Sequence, residues 1–379
     1  MTEKLYYKDA YIRNFTAELL SVNETESGFD VVLDRTAFFP EEGGQSSDTG
    51  YIGDAKVSYV YECDGVVHHI TDSAPAIGKK HCSIDFQERF EKMQCHTAEH
   101  ILCGIIHRLY RLDNVGFHLG EDEVTFDVNG VLDREQLDRV ENLANEAVFA
   151  NIAIETAFPT ANELANIEYR AKLDITDGVR LVKIGDIDTC ACCAPHVAKT
   201  GEVGLIKILD FMKHRGGTRI WMVAGKRALA DYRARYDNIK RISVMLCTPQ
   251  LETADTLEGY ISDSESAKSS LKISRLKIAE LEAEKIDVAS GNSVFLLADF
   301  SIPELIAFSN IANKKIGGIT VALSGKDGDY KYVISSNNVD LRARAKDINT
   351  ALLGRGGGRP EMIQGSFAAT LSQIKDYFK

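Results

Sequence analysis

A chain of 379 residues, 44% apolar and 26% charged, exceeds what one ordinary core supports and implies two or three domains. Its net charge of −12 argues against a nonspecific nucleic-acid binder, and it holds no run of eighteen apolar residues that could cross a membrane as a helix. Met1-Thr2-Glu3-Lys4-Leu5-Tyr6 lacks an apolar signal core, so a cytoplasmic protein with no membrane partner is the expectation. Three of the eight cysteines crowd into positions 190–193, which suits metal or redox chemistry better than a disulfide framework.

Residues 1–88 read as β-rich. Short apolar runs at Val31–Leu33, Lys56–Tyr61 and Gly65–Ile70 alternate with Gly and Asp turn signals, and a small β-barrel accommodates them. From Phe86 to Leu109 the apolar residues Ala98, Ile101, Leu102, Ile105 and Leu109 recur at helical spacing. A second helix is predicted over Asp133–Ala150, with Asp133 as N-cap and Gln136 completing a capping box. Strand-like runs follow at Gly178–Ile184, Gly204–Leu209 and Gly217–Ala224, so residues 89–225 form an α+β domain.

Residues 226–290 read as helix throughout. Leu257, Leu271, Ile278 and Leu281 fall near heptad positions, interrupted by Ser264 and Ser274, and Thr248-Pro249 marks a turn between two helices. A helical or coiled-coil linker is expected. In residues 291–379, Val294–Ala298, Thr320–Ser324 and Tyr330–Ser335 are strand-length runs with helical segments between them, which implies an α/β unit. That unit holds eleven Lys/Arg against eight Asp/Glu, so it is mildly basic on an acidic body. The fold class is therefore α+β multidomain: a small β-barrel, an α+β domain, a helical linker and a C-terminal α/β domain.

Two segments carry ligand chemistry. His96 and His100 stand four apart on the first helix, so both imidazoles leave one face about a turn apart. Cys190-Ala191-Cys192-Cys193-Ala194-Pro195-His196 repeats the spacing between Cys192 and His196, although Pro195 disfavours a regular helix there. Together the segments offer the nitrogen and sulfur donors that Zn²⁺ prefers. Spacing does not choose among Cys190, Cys192 and Cys193. His96-Thr97-Ala98-Glu99-His100 also spells the inverted HxxEH pattern of zinc peptidases, with Glu99 as general base.

Four segments in order resemble the editing module of alanyl-tRNA synthetase and its free-standing AlaX relatives. They are Thr36-Ala37-Phe38-Phe39-Pro40-Glu41-Glu42-Gly43-Gly44-Gln45; His96-Thr97-Ala98-Glu99-His100; Val179–Asp186 running on to Cys192 and His196; and Thr200-Gly201-Glu202-Val203-Gly204 with Arg219-Ile220. The resemblance covers about residues 1–225 and implies a zinc-containing editing domain whose ligands are His96, His100, Cys192 and His196. Here Cys193-Ala194-Pro195 replaces the family's Gly-Gly-Thr. Gly354–Gly365 resembles the glycine-rich end of the synthetase's C-terminal domain. Arg355, Gly356, Gly357, Gly358 and Arg359 would there meet tRNA phosphate.

No ATP-binding aminoacylation core is visible, so the resemblance implies a long-form AlaX-type protein acting in trans. Its expected activity is ATP-independent hydrolysis of mischarged Ser-tRNA(Ala), with Gly-tRNA(Ala) as a further substrate. Thr36 and Gln45 are the expected catalytic residues, placed in the cleft wall to hydrogen-bond the seryl hydroxyl or a water. Arg180 and Arg219 are read first as solvated or ion-paired. The partner is tRNA(Ala) carrying serine or glycine, and a homodimer through the linker or the C-terminal domain is a further expectation. The rival functions are a zinc-dependent peptidase of the inverted HxxEH type and a non-catalytic tRNA-binding module.

Overall fold

The computed structural model describes residues 1–120, 123–171 and 178–379. They form a mixed α+β protein with several sheets, divided into two compact units, Met1–Lys240 and Arg241–Lys379.

In the first unit, six strands pair antiparallel into a closed ring: Asn14–Thr25, Gly28–Leu33, Val66–Thr71, Ala55–Cys63, Gly50–Ile52 and Gly78–Ile84, the last returning to the first. Alternation explains the ring's interior. Phe15, Ala17 and Leu19 point inward with Val31, Leu33, Val57, Val60 and Val67, while their neighbours face out. Gly28 has φ +126°, and a Cβ there would lie 2.3 Å from the Thr71 carbonyl oxygen, so the hairpin requires glycine.

Helix α1 spans Phe86–Tyr110, is capped by Asp85 on the Glu88 amide, and is buried along most of its length. Helix α2 spans Arg134–Phe149 and opens with the Asp133–Gln136 capping box that the sequence predicts. Both pack on an antiparallel sheet ordered Ile206–His214, Gly217–Ala224, Val124–Val128, Asn114–Leu119. A smaller sheet joins Ile154–Ala157, Leu181–Ile184 and Asp188–Ala191 and lies against α1. The short helix α3, Ala161–Leu164, sits between its first two strands in sequence.

Helix α4 spans Gly225–Leu246 and α5 spans Thr253–Glu284, with the expected break at Thr248-Pro249. Leu257, Leu271, Ile278 and Leu281 are exposed on α5. The second unit's sheet is ordered Ser293–Leu296, Thr320–Lys326, Asp329–Ser335, Met362–Phe367, Gly354–Arg359. Its first pair is parallel and bridged by α6, Ile302–Ala312; the other pairs are antiparallel. Leu305, Phe308 and Ala312 of α6, with Ala279 and Ala283 of α5, cover Ala322 and Val333 on one face. Helices α7, Leu341–Ala351, and α8, Leu371–Tyr377, cover Val321, Leu323, Tyr332 and Ile334 on the other.

The glycine-rich segment Gly354–Arg359 is a strand at the edge of this sheet. Gly356 stands opposite Gly365, and Tyr332 stacks on Phe367 at 4.0 Å beside them. A Cβ on Gly365 would meet the Arg355 carbonyl oxygen at 2.1 Å, and one on Gly356 would meet Tyr332 Oη at 2.4 Å. Those two glycines serve close packing within the sheet; Gly357 faces open space, and Arg355 and Arg359 are exposed.

Candidate metal centre and cleft

Helix α1 presents His96, Thr97 and His100 to the first unit's interior, as the i, i+4 spacing requires. The partner segment, Cys192–His196, is not helical; it is a loop leaving the strand Asp188–Ala191. Arg180 secures this loop by donating from Nη1 to the carbonyls of Cys192 and Ala194, both at 2.9 Å. The Arg180 carbonyl in turn accepts from the Cys192 amide at 3.0 Å. Arg180 is buried against backbone oxygens rather than solvated as expected, and it has no ion pair among the described residues. Arg219 is ion-paired as expected, donating twice to Asp127 at 2.7 Å.

His96, His100, Cys192 and His196 converge, each offering one donor atom within 4.8 Å of the others. Cys192 Sγ lies 3.3 Å from His196 Nε2 and 3.6 Å from His96 Nε2. A tetrahedral ion with Zn–N near 2.0–2.1 Å and Zn–S near 2.3 Å spaces such donors roughly 3.5 Å apart.

The outer nitrogen of each imidazole is held. His96 Nδ1 donates to Gln45 Oε1 at 2.8 Å, His100 Nδ1 donates to Asp188 Oδ2 at 3.2 Å, and His196 Nδ1 meets Thr97 Oγ1 at 3.0 Å. A proton fixed on Nδ1 leaves the Nε2 lone pair to point inward, the state a metal ligand needs. Asp188 is anchored by Arg170, whose Nε and Nη2 donate to it at 2.8 Å each. Gly104 of α1 lets this carboxylate approach: a Cβ there would lie 2.6 Å from the Ile187 carbonyl oxygen and 2.7 Å from Asp188 Cβ. The donor set, its spacing and its orientation all fit a zinc ion.

Electrostatics distinguish the thiols. Burial works against a charged Cys192, but His96, His196 and His100 outweigh it and hold the thiol well below its usual range. Burial pushes Cys190 up to about 11 and pushes Cys193 up as well, Cys193 being further opposed by the Cys192 and Glu42 charges. Burial likewise pushes His196 down to about 3, so it stays neutral. Cys190 belongs to a second, overlapping group with His100 and Asp188, but Arg170 already engages that carboxylate.

The cluster opens into a cleft of about 490 Å³ bounded by Tyr7, Glu42, Phe117, Val179 and Arg180 with His96, His100 and Cys192. Gln45 is wholly buried, and its Nε2 has no partner among the described residues, which leaves a donor unsatisfied there beside His96. Thr36 differs from the expectation of a cleft-wall hydroxyl. It is wholly buried in the ring, 2.9 Å from His69 Nε2, and accepts from the Phe38 amide at 3.1 Å. His69 Nδ1 donates to the Val31 carbonyl, so Nε2 accepts and both roles of the Thr36 hydroxyl are used. Glu99 also lines the cleft: its Oε1 accepts from Asn114 Nδ2 and from Cys103 Sγ, and its Oε2 lies 3.8 Å from His100 Nε2.

Thr97, Arg170 and Asp188 escape the sequence reading. The single signal was an acidic residue two positions before the cysteine cluster.

His96, His100, Cys192 and His196 thus make a largely buried set of three imidazoles and one thiol that could hold a metal ion. Residues 179–224, the loop and strands carrying Cys192 and His196, match the family described as the threonyl and alanyl tRNA synthetase second additional domain. Over 99% of its length the chain is 29% identical to the alanyl-tRNA editing protein AlaX-L of Pyrococcus horikoshii, covering 97% of that protein. Over 90% of its length it is 33% identical to the alanine–tRNA ligase of Halobacterium salinarum, of which it spans only 39%. The C-Ala domain of Aquifex aeolicus alanyl-tRNA synthetase aligns with 24% of the chain, and with 92% of its own length, at 18% identity and a TM-score of 0.21, too slight a likeness to bear on the fold. Over nearly its whole length the chain is thus similar to an alanyl-tRNA editing protein of the AlaX-L kind.

Proposed function

We propose that His96, His100, Cys192 and His196 bind one zinc ion and that the cleft hydrolyses the ester joining serine, and secondarily glycine, to tRNA(Ala). The protein is an aminoacyl-tRNA deacylase, an ester hydrolase of the alanyl-tRNA editing type. The observation that carries the zinc assignment is the outward anchoring of all three imidazoles, which turns three Nε2 atoms and one thiolate to a common point. When bound, zinc supplies a Lewis acid able to polarise an ester carbonyl or acidify a water.

The chain's own residues do the rest. Gln45 orients His96 through Oε1 and offers Nε2–H to a polar group of the substrate or to the attacking water. A donor that pairs with a seryl hydroxyl discriminates against alanine, which has none. Thr36 acts one layer back: with His69 it braces the start of the loop that ends at Gln45. Arg180 keeps the Cys192 loop in place. An aminoacyl ester is already activated, so placing it beside an oriented water suffices for much of the rate.

In the same reading the ring, residues 1–88, is a small barrel, 89–225 is the editing domain, and 226–290 is a linker whose exposed Leu257, Leu271, Ile278 and Leu281 serve a homodimer. Residues 291–379 bind tRNA, with Arg355 and Arg359 reaching phosphate from the edge strand and Gly356, Gly357 and Gly358 keeping that edge free of side chains. The setting is cytoplasmic; among the described residues no helix is long and apolar enough to cross a membrane. The peptidase reading, with Glu99 as base, is the weaker one: Asn114 and Cys103 both hold Oε1 of that carboxylate.

The test is a deacylation assay with Ser-tRNA(Ala), Gly-tRNA(Ala) and Ala-tRNA(Ala). Hydrolysis of the first with the third spared is expected. Zinc-loaded protein that leaves Ser-tRNA(Ala) intact would sink the assignment.

A further inference from the structure

One wall of the cleft takes no part in the metal cluster. Tyr7, at the end of the 3-10 turn Leu5–Tyr7, lines the cleft and is half-buried. Its ring meets Phe158 edge-on at 5.3 Å and Tyr6 at 4.6 Å. The Arg180 guanidinium lies 5.6 Å from the Tyr7 ring centroid, and Lys4 Nζ lies 5.5 Å from it. Phe158 is 53% exposed. Arg180 is buried, and its Nη1 holds the Cys192 loop, while its Nε has no hydrogen-bond partner among the described residues. An exposed aromatic ring and a buried guanidinium thus both meet Tyr7, a half-buried tyrosine that lines the same cleft as His96, His100 and Cys192.

We infer that Tyr7 and Phe158 form a stacking platform for the 3′-terminal nucleobase of the tRNA, with the Arg180 guanidinium supplying positive charge beside it. The inference rests on the deacylase reading and names the part of the substrate that this wall recognises. The chemistry fits an unpaired nucleotide end: flat bases stack on aromatic rings and guanidinium planes whatever their sequence, and arginine adds charge for the adjoining phosphate. The cleft volume, about 490 Å³, lies within the roughly 300–1,000 Å³ usual for small-molecule sites. It has room for a nucleoside as well as an amino acid. Arg180 joins the platform to the Cys192 loop, since the same guanidinium that faces Tyr7 fixes the carbonyls of Cys192 and Ala194.

The experiment replaces the terminal adenine of tRNA(Ala) with 2-aminopurine, whose fluorescence is quenched by stacking, and titrates it with the zinc-loaded full chain. Quenching is expected with the wild type and with Tyr7→Phe, and its loss with Tyr7→Ala and Phe158→Ala. In deacylation of Ser-tRNA(Ala), Tyr7→Ala should raise KM roughly 5- to 150-fold, the usual worth of one stacked base, with kcat largely kept. Phe158 is exposed, so Phe158→Ala tests the platform even if Tyr7→Ala disturbs folding. A wild type that hydrolyses Ser-tRNA(Ala) but leaves 2-aminopurine unquenched overturns the platform alone. So does an unchanged KM in a folded Tyr7→Ala. No hydrolysis combined with quenching overturns the deacylase reading and retains the platform.

Discussion

Replacing Asp188 by asparagine should separate metal orientation from fold stability. Asp188 Oδ1 accepts from Arg170 Nε, and Oδ2 accepts from both Arg170 Nη2 and His100 Nδ1, at 2.8, 2.8 and 3.2 Å respectively. Only a carboxylate has acceptors at both positions. An asparagine must turn its NH₂ either toward Arg170 Nε or toward Nη2 and Nδ1, so in each orientation a donor faces a donor. Arg170 also loses its counter-charge in a largely buried place, which in comparable pairs costs about 3–5 kcal/mol. The His100 ring loses the acceptor that fixes its proton on Nδ1, and such losses typically weaken metal binding about 10- to 100-fold. Asp188→Asn should therefore show both a lower unfolding free energy in urea and a weaker zinc affinity in competition with a chromophoric chelator. Adding Arg170→Met should restore much of the stability, because it removes the orphaned charge, while zinc affinity stays low. Zinc affinity in Asp188→Asn equal to that of the wild type would refute the orienting role.

Cys192→Ala should abolish stoichiometric zinc in metal analysis, whereas Cys190→Ala and Cys193→Ala should retain it, because only Cys192 lies among the three imidazoles as a thiolate. Gly104→Ala, nominally a gain in helix propensity of about 1 kcal/mol, should instead destabilise the first unit by roughly 1–3 kcal/mol and weaken zinc binding, since the new methyl collides with Ile187 and Asp188. Unchanged melting and zinc affinity would show that the loop yields freely. In the second unit, the hydrogen bonds from Arg275 hold the Glu304 carboxyl down to about 2, against its ordinary 4.5. A lowered carboxylate stabilises above its unfolded value and loses that contribution as pH falls through the folded one. Acid titration followed by circular dichroism should thus show part of the second unit's stability disappearing between pH 4.5 and 2, and Glu304→Gln should remove that step. An identical acid profile in the variant would count against the pairing.

The elements with strong local signals were legible in the chain. Helix α1 carries its apolar period without interruption, α2 announces itself by Asp133 and Gln136, and Thr248-Pro249 divides the two linker helices. The strand Asn14–Thr25 was not, because its second half is polar and largely exposed and hides the alternation of Phe15, Ala17 and Leu19. The sequence predicts no strand at Gly354–Arg359, since glycine is a poor strand former; its pairing with Met362–Phe367, which a side chain at Gly356 or Gly365 would block, makes it one. By itself the sequence determined the inventory of donors and the helical face bearing His96 and His100, because side-chain direction on a helix follows from spacing. Which thiol faces those imidazoles depended on a loop that Arg180 shapes from a neighbouring strand. Which groups hold the imidazoles depended on Gln45 and Asp188 arriving from segments 51 and 88 residues away. Thr36 had the right chemistry for a cleft, yet strand pairing turned it toward His69, because local sequence sets what a side chain can do and packing sets what it meets.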